Sequence, residues 1–313
     1  MATLPPTLPP IDYATTVRLL RPPSGGCSVI IDTDTWNEID DQFALIHALM
    51  SDELNIETIQ AAGFHAAVRG TKDFEHGMEL SYDEIVRILD LSPVSYEGPV
   101  LRGSRYTLDE NGGAPVPSEA AENIVNRAMQ ERDEPLYVLA LGALTNVASA
   151  ILLEPRIRER ICVVALGGWP YHAADFPDFN FIQDVKSAQT VFDSGVALVQ
   201  VTGFGVSELL RTTRWEMMQH VKGRGRIGDY LFQLYEDFVQ DYPGRSKPIW
   251  DLAPGAWLLR SDWMKTHSEA APILNDDLRY IPVASRHPMR IVDWLDRDAI
   301  FSDFFDKLKA ATS

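Results

Sequence analysis

Residues 30–41 read Ile-Ile-Asp-Thr-Asp-Thr-Trp-Asn-Glu-Ile-Asp-Asp, an apolar segment that ends abruptly in acidic side chains. The apolar run that begins at Cys27 predicts a buried strand, and the apolar run that follows Asp41 predicts a helix. The acidic residues therefore lie where a strand ends and a helix begins, which is where open parallel sheets bind ligands. These residues are Asp32, Asp34, Glu38, Asp40 and Asp41.

The density of acidic residues in this stretch predicts a bound cation. Carboxylates packed this closely repel one another unless a positive charge joins them. Oxygen ligands suit a hard ion such as calcium or magnesium. Acidic residues also stabilise the N-termini of helices. That alternative explains one or two of these carboxylates, but not so many at the end of a strand.

The composition excludes some classes of partner. The chain has 313 residues, of which 28 are basic and 45 acidic, for a formal net charge of −17. This charge opposes binding to nucleic acid, where affinity comes from neutralising phosphates. No apolar stretch is as long as a membrane span, and the proline-rich N-terminus lacks the layout of a secretory signal. Cys27 and Cys162 are predicted to be buried free thiols. A cytoplasmic protein without a membrane or nucleic-acid partner is therefore expected.

Strand-like and helix-like segments alternate along most of the chain, which predicts a doubly wound α/β fold with a mostly parallel sheet. Residues 1–26 are expected to form a loose lead-in, and residues 27–313 a single domain with added C-terminal helices. Residues 64–80 are expected to form a loop, followed by a helix over 81–91 that Ser81 and Glu84 cap. After residue 208 the pattern is mainly helical, with one late strand predicted over 278–283.

Several motifs follow one another in a specific order. The acidic stretch comes first, and the segment Leu-Ala-Leu-Gly-Ala-Leu-Thr-Asn begins at residue 139. An apolar strand ends in paired glycines within 164–168, Asp-Phe-Asn occupies 178–180, and Asp251 stands last. In this order the motifs resemble the inosine-uridine nucleoside hydrolase family, the calcium-dependent N-ribohydrolases. The resemblance implies a nucleoside hydrolase-like fold and hydrolysis of the N-glycosidic bond of a ribonucleoside or a related ribosyl compound.

The resemblance assigns a calcium site to particular residues. Asp34, Asp41 and Asp251 would bind Ca²⁺ through their carboxylates, and Thr145 through its backbone carbonyl. Asp34 would also be the catalytic base that takes a proton from a calcium-activated water, while Asp32 would support the site. Calcium accepts six to eight oxygen ligands, so this set leaves room for water and sugar hydroxyls. Nearby carboxylates would stabilise an oxocarbenium-like transition state at the sugar carbon.

The resemblance also assigns a sugar site next to the calcium. Asp40 and Asn180 would bind the ribose hydroxyls, and Asp178 would contact the far end of the sugar. The acidic loop departs from the family because residues 35–39, which separate Asp34 from Asp40, make it longer. Glu38 lies in this longer loop and is a candidate to assist the metal ligands.

The leaving-group side departs further from the family. Trp250 stands where the family often has a histidine, and His172 lies near the position of an expected sugar-binding asparagine. We therefore expect the residues that contact the leaving group to differ from those of the family. Trp169 or Trp250 would stack on a nucleobase, and His65, His76 and His172 are the candidate leaving-group acids.

Two other classes of function remain open at this point. A non-catalytic calcium-dependent ribosyl-binding protein would keep the fold and lose turnover, although the intact Asp34 argues against it. A haloacid dehalogenase-type phosphatase also ends its first strand in Asp-x-Asp, but it has a threonine where this chain has Trp36. The expected partner is a small nucleoside or ribosyl compound, and the resemblance also implies a homodimer or homotetramer.

Overall fold

The computed structural model describes residues 8–171, 178–240, 242 and 244–313, and it is built around an eight-stranded sheet. The strands of the chain are β1 Cys27–Thr33, β2 Leu54–Ala61, β3 Val100–Arg102, β4 Leu136–Ala140, β5 Ile161–Leu166, β6 Ala197–Val201, β7 Arg211–Thr213, β8 Ser246–Pro248, β9 Met264–Ala270, β10 Ile273–Leu274, β11 Tyr280–Ile281 and β12 Pro288–Leu295. The sheet has the order β3-β2-β1-β4-β5-β6-β12-β9, and its pairs are parallel except β12 with β9. The pairs β7–β8 and β10–β11 form two small antiparallel ribbons.

Helices cover both faces of this sheet. They are α1 Tyr13–Leu19, α2 Asp41–Leu49, α3 Phe74–Leu91, α4 Glu119–Ala128, α5 Thr145–Leu153, α6 Phe179–Gln183, α7 Val185–Ser194, α8 Arg214–His220, α9 Gly225–Val239, α10 Leu252–Leu259 and α11 Arg297–Ala311. Short 3₁₀ helices occur at Ala67–Arg69, Pro155–Glu159, Ser207–Leu209 and Ser261–Trp263. Because successive strand side chains point to opposite faces, Val29 and Ile31 join one buried apolar cluster and Ile30 the other. The predicted doubly wound, mostly parallel α/β fold is confirmed.

The order of the strands reverses beside β1. The chain passes from β1 to β2 and β3 on one side, and then returns to β4 on the other side. Asp32 near the end of β1 is in register with Gln60 of β2 and Ala140 of β4. Ligands of open α/β sheets bind at such a reversal, outside the carboxyl ends of the strands. The acidic stretch therefore lies at the position in the fold where a ligand site is expected.

Helix α3 begins earlier than the sequence analysis expected. Its N-cap is Asp73, whose carboxylate accepts a hydrogen bond from the backbone N–H of His76 at 2.8 Å. Part of the expected loop, from Phe74 onward, is therefore helical, and the prediction that Ser81 and Glu84 cap this helix is wrong. Both side chains are buried inside α3 instead. The capping pattern misled because polar residues also occur on the buried face of a helix; Glu84, for example, accepts hydrogen bonds from Gln42 and Tyr230.

The C-terminal part contains more sheet than the helical pattern indicated. Strand β12 pairs with β6 and extends the central sheet, and β9 adds an antiparallel edge. The polar sequence of β9, Met-Lys-Thr-His-Ser-Glu-Ala, gives little apolar signal, and charged edge strands of this kind limit aggregation. The late strand expected over 278–283 is reduced to β11, within a hairpin with β10.

The N-terminal segment also differs from the loose lead-in that was expected. Helix α1 starts at an N-cap, Asp12, whose carboxylate accepts from the backbone of Thr15 at 3.0 Å. Thr16 and Leu19 of this helix are buried, and α1 packs against β6 and β12. Cys27 and Cys162 are buried free thiols, as predicted. Among the described residues, no helix is both long and apolar enough to cross a membrane.

The packing of α1 predicts a measurable contribution to stability. Leu19 is 1% exposed, so Leu19→Ala removes buried apolar volume and should lower the free energy of unfolding by about 2 to 4 kcal/mol. Leu153→Ala is the matched control, because Leu153 is 42% exposed and its truncation should cost less than about 0.5 kcal/mol. Urea unfolding followed by circular dichroism measures both, and equal losses would show that α1 does not pack as described.

Candidate active site

Three aspartates from two distant parts of the chain meet at the carboxyl end of β1. Asp41 is the first residue of α2, Asp40 precedes it, and Asp251 precedes α10. One carboxylate oxygen from each lies within 4.8 Å of the other two, and all three side chains are buried. The sequence analysis expected Asp34, Asp41 and Asp251 to share an ion, but Asp34 is not a member of this group of three. Asp40, expected to bind sugar, is also close enough to contribute.

Asp34 lies beside this cluster. Its charge is among the causes that raise the pKa of Asp251, and its carboxylate packs against Gly142. A Cβ atom added at Gly142 would lie 2.9 Å from Cγ of Asp34, so glycine leaves the space that the carboxylate needs. Oδ2 of Asp34 and Oδ1 of Asp251 are buried and accept no hydrogen bond from any described residue.

The protonation of the cluster reflects burial and mutual repulsion. Burial, followed by the charge of Asp40, raises the pKa of Asp41 to about 7. Burial also raises the pKa of Asp34 and of Asp251 well above the usual value, with the charge of Asp41 as the next cause. Buried carboxylates with orphaned oxygens cost free energy unless a cation pairs with them. The donor set is all oxygen, so the residues fit a hard divalent cation.

A second group of polar residues supports the cluster. The hydroxyl of Thr33 donates a short hydrogen bond to Oδ1 of Asp41. Asn146 donates from Nδ2 to Oδ1 of Asp32 at 2.8 Å. The Oδ1 atom of Asn146 accepts from the backbone N–H of Ser104, also at 2.8 Å. Burial raises the pKa of Asp32 to about 7. Asp32 is thus held by Asn146, to which the sequence analysis assigned no role in the site.

Thr145 occupies the start of α5, just after β4. Its hydroxyl donates to Oδ2 of Asp184 at 2.8 Å, and Asp184 also accepts from the backbone N–H of Leu108 at 2.8 Å. These bonds hold the first turn of α5 in place at the edge of the sheet that carries the acidic cluster. The role of the Thr145 carbonyl as a calcium ligand stays a prediction.

A cavity of about 260 Å³ opens above the acidic cluster. Most of the predicted site residues line it, while Asp32 and Thr145 do not. The predicted residues in its lining are Asp34, Glu38, Asp40, Asp41, Trp169, Asp178, Asn180, Trp250 and Asp251. His172 falls outside the described residues, and among the described residues no histidine lines this cavity. The imidazoles of His65 and His76, two candidate leaving-group acids, form hydrogen bonds with residues of the segment 65–76 instead.

Asp178 and Asn180 line the same cavity as the acidic cluster. The amide nitrogen of Asn180 donates to the carbonyls of Leu141 and Leu166, at 2.6 and 3.0 Å. Its Oδ1 atom therefore remains available to a ligand hydroxyl. Asp178 accepts from the backbone N–H of Phe181 at 2.6 Å, and burial raises its pKa to about 6. Both residues thus offer hydrogen-bonding oxygens at fixed positions.

Three aromatic side chains line another part of the cavity. The rings of Trp169 and Phe204 stack with centroids 3.9 Å apart and an interplanar angle of 22°. The rings of Phe204 and Trp250 lie 5.2 Å apart. The sequence analysis identified both tryptophans but missed Phe204. Its position just after β6, at the same edge of the sheet as the acids, is the signal that could have indicated it.

The site also contains a positively charged side chain, Lys247, that the sequence analysis missed. Lys247 of β8 is 2% exposed, and its Nζ atom lies 3.4 Å from Oδ1 of Asp40. It also makes a short ion pair with Glu38. The Oε1 atom of Glu38 lies 3.2 Å from Nη2 of Arg69. Nothing local in the sequence distinguishes Lys247 from a surface lysine, because its partners are far away along the chain.

Comparisons with known proteins agree with this architecture. The family model of the inosine-uridine preferring nucleoside hydrolase matches residues 29–299. The non-specific ribonucleoside hydrolase RihC of Salmonella schwarzengrund is 25% identical over 249 residues, which is 75% of this chain and 79% of that protein. The pyrimidine-specific ribonucleoside hydrolase RihA of Salmonella newport is 24% identical over 270 residues, with 76% and 81% covered. A plant nucleoside hydrolase, the PpNRh1 enzyme, shares the fold with a TM-score of 0.74 and 18% identity. That likeness covers 92% of this chain and 100% of the plant chain.

The buried carboxylates predict that calcium stabilises the protein more at high pH. The pKa of Asp41 rises from 3.8 to about 7 on folding without a cation. The folded protein then binds more protons than the unfolded chain in this window, so the stability of the calcium-free protein falls as the pH rises through it. Because calcium would replace those protons, its effect on Tm should be larger at about pH 8 than at about pH 5.

Differential scanning calorimetry with a chelator and with millimolar calcium measures this effect. Asp41→Asn should lose most of the calcium-dependent increase in Tm, whereas Asp52→Asn, at an exposed position, should keep it. An increase of the same size at both pH values would contradict the assignment of the cation to these carboxylates.

Proposed function

Because the chain belongs to the inosine-uridine preferring nucleoside hydrolase family, which makes it a hydrolase of N-glycosyl compounds, we propose that it hydrolyses ribonucleosides with the aid of Ca²⁺. The observation that carries the proposal is the lining of the cavity. Buried carboxylates, polar side chains suited to a sugar, and a group of aromatic rings all face one space. This combination supports a substrate made of a ribose and an aromatic base.

Asp34, Asp41 and Asp251 would hold the calcium, together with the carbonyl of Thr145. The orphaned oxygens of Asp34 and Asp251 support this assignment, since buried acceptors without a donor favour a cation. When bound, calcium neutralises the carboxylates and polarises a water molecule and the sugar hydroxyls. Asp32 and Asn146 would keep the ligands in position from behind.

Different residues of the chain would act on the water and on the sugar. Asp34 takes the proton of the attacking water, because its carboxylate lines the same cavity as the proposed sugar-binding residues. Asp40 and Asn180 bind the ribose hydroxyls, and Asp178 binds the far end of the sugar. The surrounding carboxylates stabilise the positive charge that develops on the sugar ring as the glycosidic bond breaks.

The leaving base would lie against the aromatic group of Trp169, Phe204 and Trp250. Aromatic rings provide a large apolar contact area and favour stacked or edge-to-face contacts with another ring. Such a surface suits an aromatic base and offers no recognition for an alkyl group of similar size. The two named relatives differ in base preference, one non-specific and one pyrimidine-specific. We therefore propose an aromatic base and leave its ring size open.

The alternative functions have less support. Family membership argues against a haloacid dehalogenase-type phosphatase, and the available oxygen of Asp34 argues against a protein that binds a ribosyl compound without turnover. A cytoplasmic location and a homodimer or homotetramer stay predictions.

Asp34→Asn tests the proposed base. Incubation of the wild-type protein with calcium and a panel of purine and pyrimidine nucleosides should release ribose, measured as reducing sugar. The substitution keeps the shape of the side chain but removes its proton-accepting carboxylate, so kcat should fall by about a thousand-fold. Asp52→Asn, an exposed control, should leave kcat unchanged. Phosphate release from phosphoesters with magnesium, without ribose release from nucleosides, would refute the proposed function.

Trp250→Ala tests the aromatic group. Loss of one ring should lower kcat/KM for natural nucleosides by about ten-fold. The loss should be smaller for 4-nitrophenyl riboside, whose leaving group departs without help from the protein. Trp215→Ala is the control, because Trp215 is 74% exposed. Equal losses with both kinds of substrate would indicate that Trp250 packs but does not assist departure of the base.

A further inference from the structure

We infer that Lys247 is a positioning residue for the sugar site: its ammonium group orients the carboxylate of Asp40 and anchors the acidic loop through Glu38. The inference rests on the proposed function, because it concerns how Asp40 is presented to ribose. It starts from the burial of Lys247, since lysine is almost never fully buried unless it is paired. Here the side chain is buried and has two acidic partners, Glu38 and Asp40.

The surroundings of Lys247 hold its side chain in one place. The residue lies in β8, where it pairs with Thr212 of β7. Its Nζ atom lies 5.4 Å from the ring centroid of Phe238 and 5.7 Å from that of Trp250. Aromatic faces attract a cation electrostatically. The ammonium group is therefore fixed by its strand and by two rings before any contact with the acidic residues is counted.

Asp40 needs an external group to set its orientation. It occupies the N-cap position of α2, but its side chain makes no capping hydrogen bond. Two contacts from the segment 247–250 replace that bond. Lys247 approaches Oδ1 at 3.4 Å, and the backbone N–H of Trp250 donates to Oδ2 at 3.1 Å. With one donor on each oxygen, the plane of the carboxylate is defined, and lone pairs remain for sugar hydroxyls.

Glu38 extends the same network to the mouth of the cavity. It belongs to the loop between Asp34 and Asp40, lines the cavity, and pairs with both Lys247 and Arg69. Arg69 belongs to the 3₁₀ helix Ala67–Arg69. One lysine thus connects the acidic loop to β8. Because Lys247 is buried while the side chain of Glu38 is 34% exposed, this ion pair is partly shielded from water and should be somewhat stronger than a fully exposed pair.

The effect of the Lys247 charge on calcium binding distinguishes a positioning role from a general structural role. A fixed ammonium next to Asp40 repels a divalent cation at the neighbouring carboxylates. Removing it should weaken sugar binding, because Asp40 loses its orientation. It should not weaken calcium binding, because the proposed carboxylate ligands are Asp34, Asp41 and Asp251, and loss of the repelling charge offsets any contribution from Asp40. A substitution that merely disturbed the fold would weaken both. The two affinities therefore respond differently under the two explanations.

The experiment compares Lys247→Met, Lys247→Arg and the exposed control Lys265→Met in the full chain. Calorimetry gives the Kd for calcium and, with calcium present, the Kd for ribose. Lys247→Met should raise the Kd for ribose and the KM for nucleosides by about ten-fold, with the Kd for calcium unchanged or lower. Lys247→Arg should recover part of the ribose affinity, and Lys265→Met should behave as the wild type.

Two further variants make the inference testable even if Lys247→Met alone folds poorly, because neither of them leaves the carboxylate of Asp40 buried without its cation. Asp40→Asn alone and the double variant Asp40→Asn/Lys247→Met should bind ribose with nearly the same Kd, because Lys247 acts through Asp40. A clearly higher ribose Kd in the double variant than in Asp40→Asn would overturn the inference. So would an unchanged ribose Kd in Lys247→Met, parallel losses of ribose and calcium affinity, or a wild-type protein that binds no ribose. Failure of the proposed function looks different: the wild type would bind calcium and ribose but release no ribose from nucleosides.

Discussion

Electrostatic repulsion among buried carboxylates at the end of β1 is the constraint to which the rest of this site responds. Burial removes the water that would solvate Asp34, Asp40, Asp41 and Asp251, so each negative charge must find a protein donor or a cation. The start of α2 contributes the partial positive charge of a helix N-terminus near Asp41. Thr33 contributes a hydroxyl donor and Lys247 a full charge. Of these four carboxylates, Asp34 and Asp251 each keep one oxygen that accepts no hydrogen bond from the described residues, and these oxygens are available to a metal ion.

Features whose cause is local could be predicted from the sequence. The strand, the acidic loop and the helix that follow one another between residues 27 and 49 are specified by neighbouring residues, and the structure has all three. The parallel sheet could be predicted as well, because alternating apolar strands and helices pack in few ways. The common edge of that sheet then brings Asp178 and Asn180 into the same cavity as the first acidic stretch. In the sequence analysis the placement of these two residues came from the family resemblance, which rests on the order of the motifs along the chain.

Features that depend on distant contacts could not be predicted in this way. Lys247 is a site residue because β8 carries it to Asp40, and Asn146 is one because Asp32 reaches it across the sheet. A polar residue in a sequence carries no sign of whether its partner lies far along the chain. The same holds for the edge strand β9, whose polar side chains resemble a loop until β12 supplies its hydrogen bonds. Helix α1 likewise owes its order to packing against β6 and β12.

The two sources of positive charge have different consequences for the acidic loop. A bound ion can leave, and the carboxylates that hold it would then repel one another or take up protons. Lys247 cannot leave, and it contacts Asp40 and Glu38 but not Asp34, the proposed base. In the proposed function, the fixed charge therefore maintains the part of the loop that would present the sugar-binding carboxylate, while the removable charge would act where the water would be activated. A longer loop has more conformations to restrict, and Lys247 restricts this loop through its ion pairs with Glu38 and Asp40.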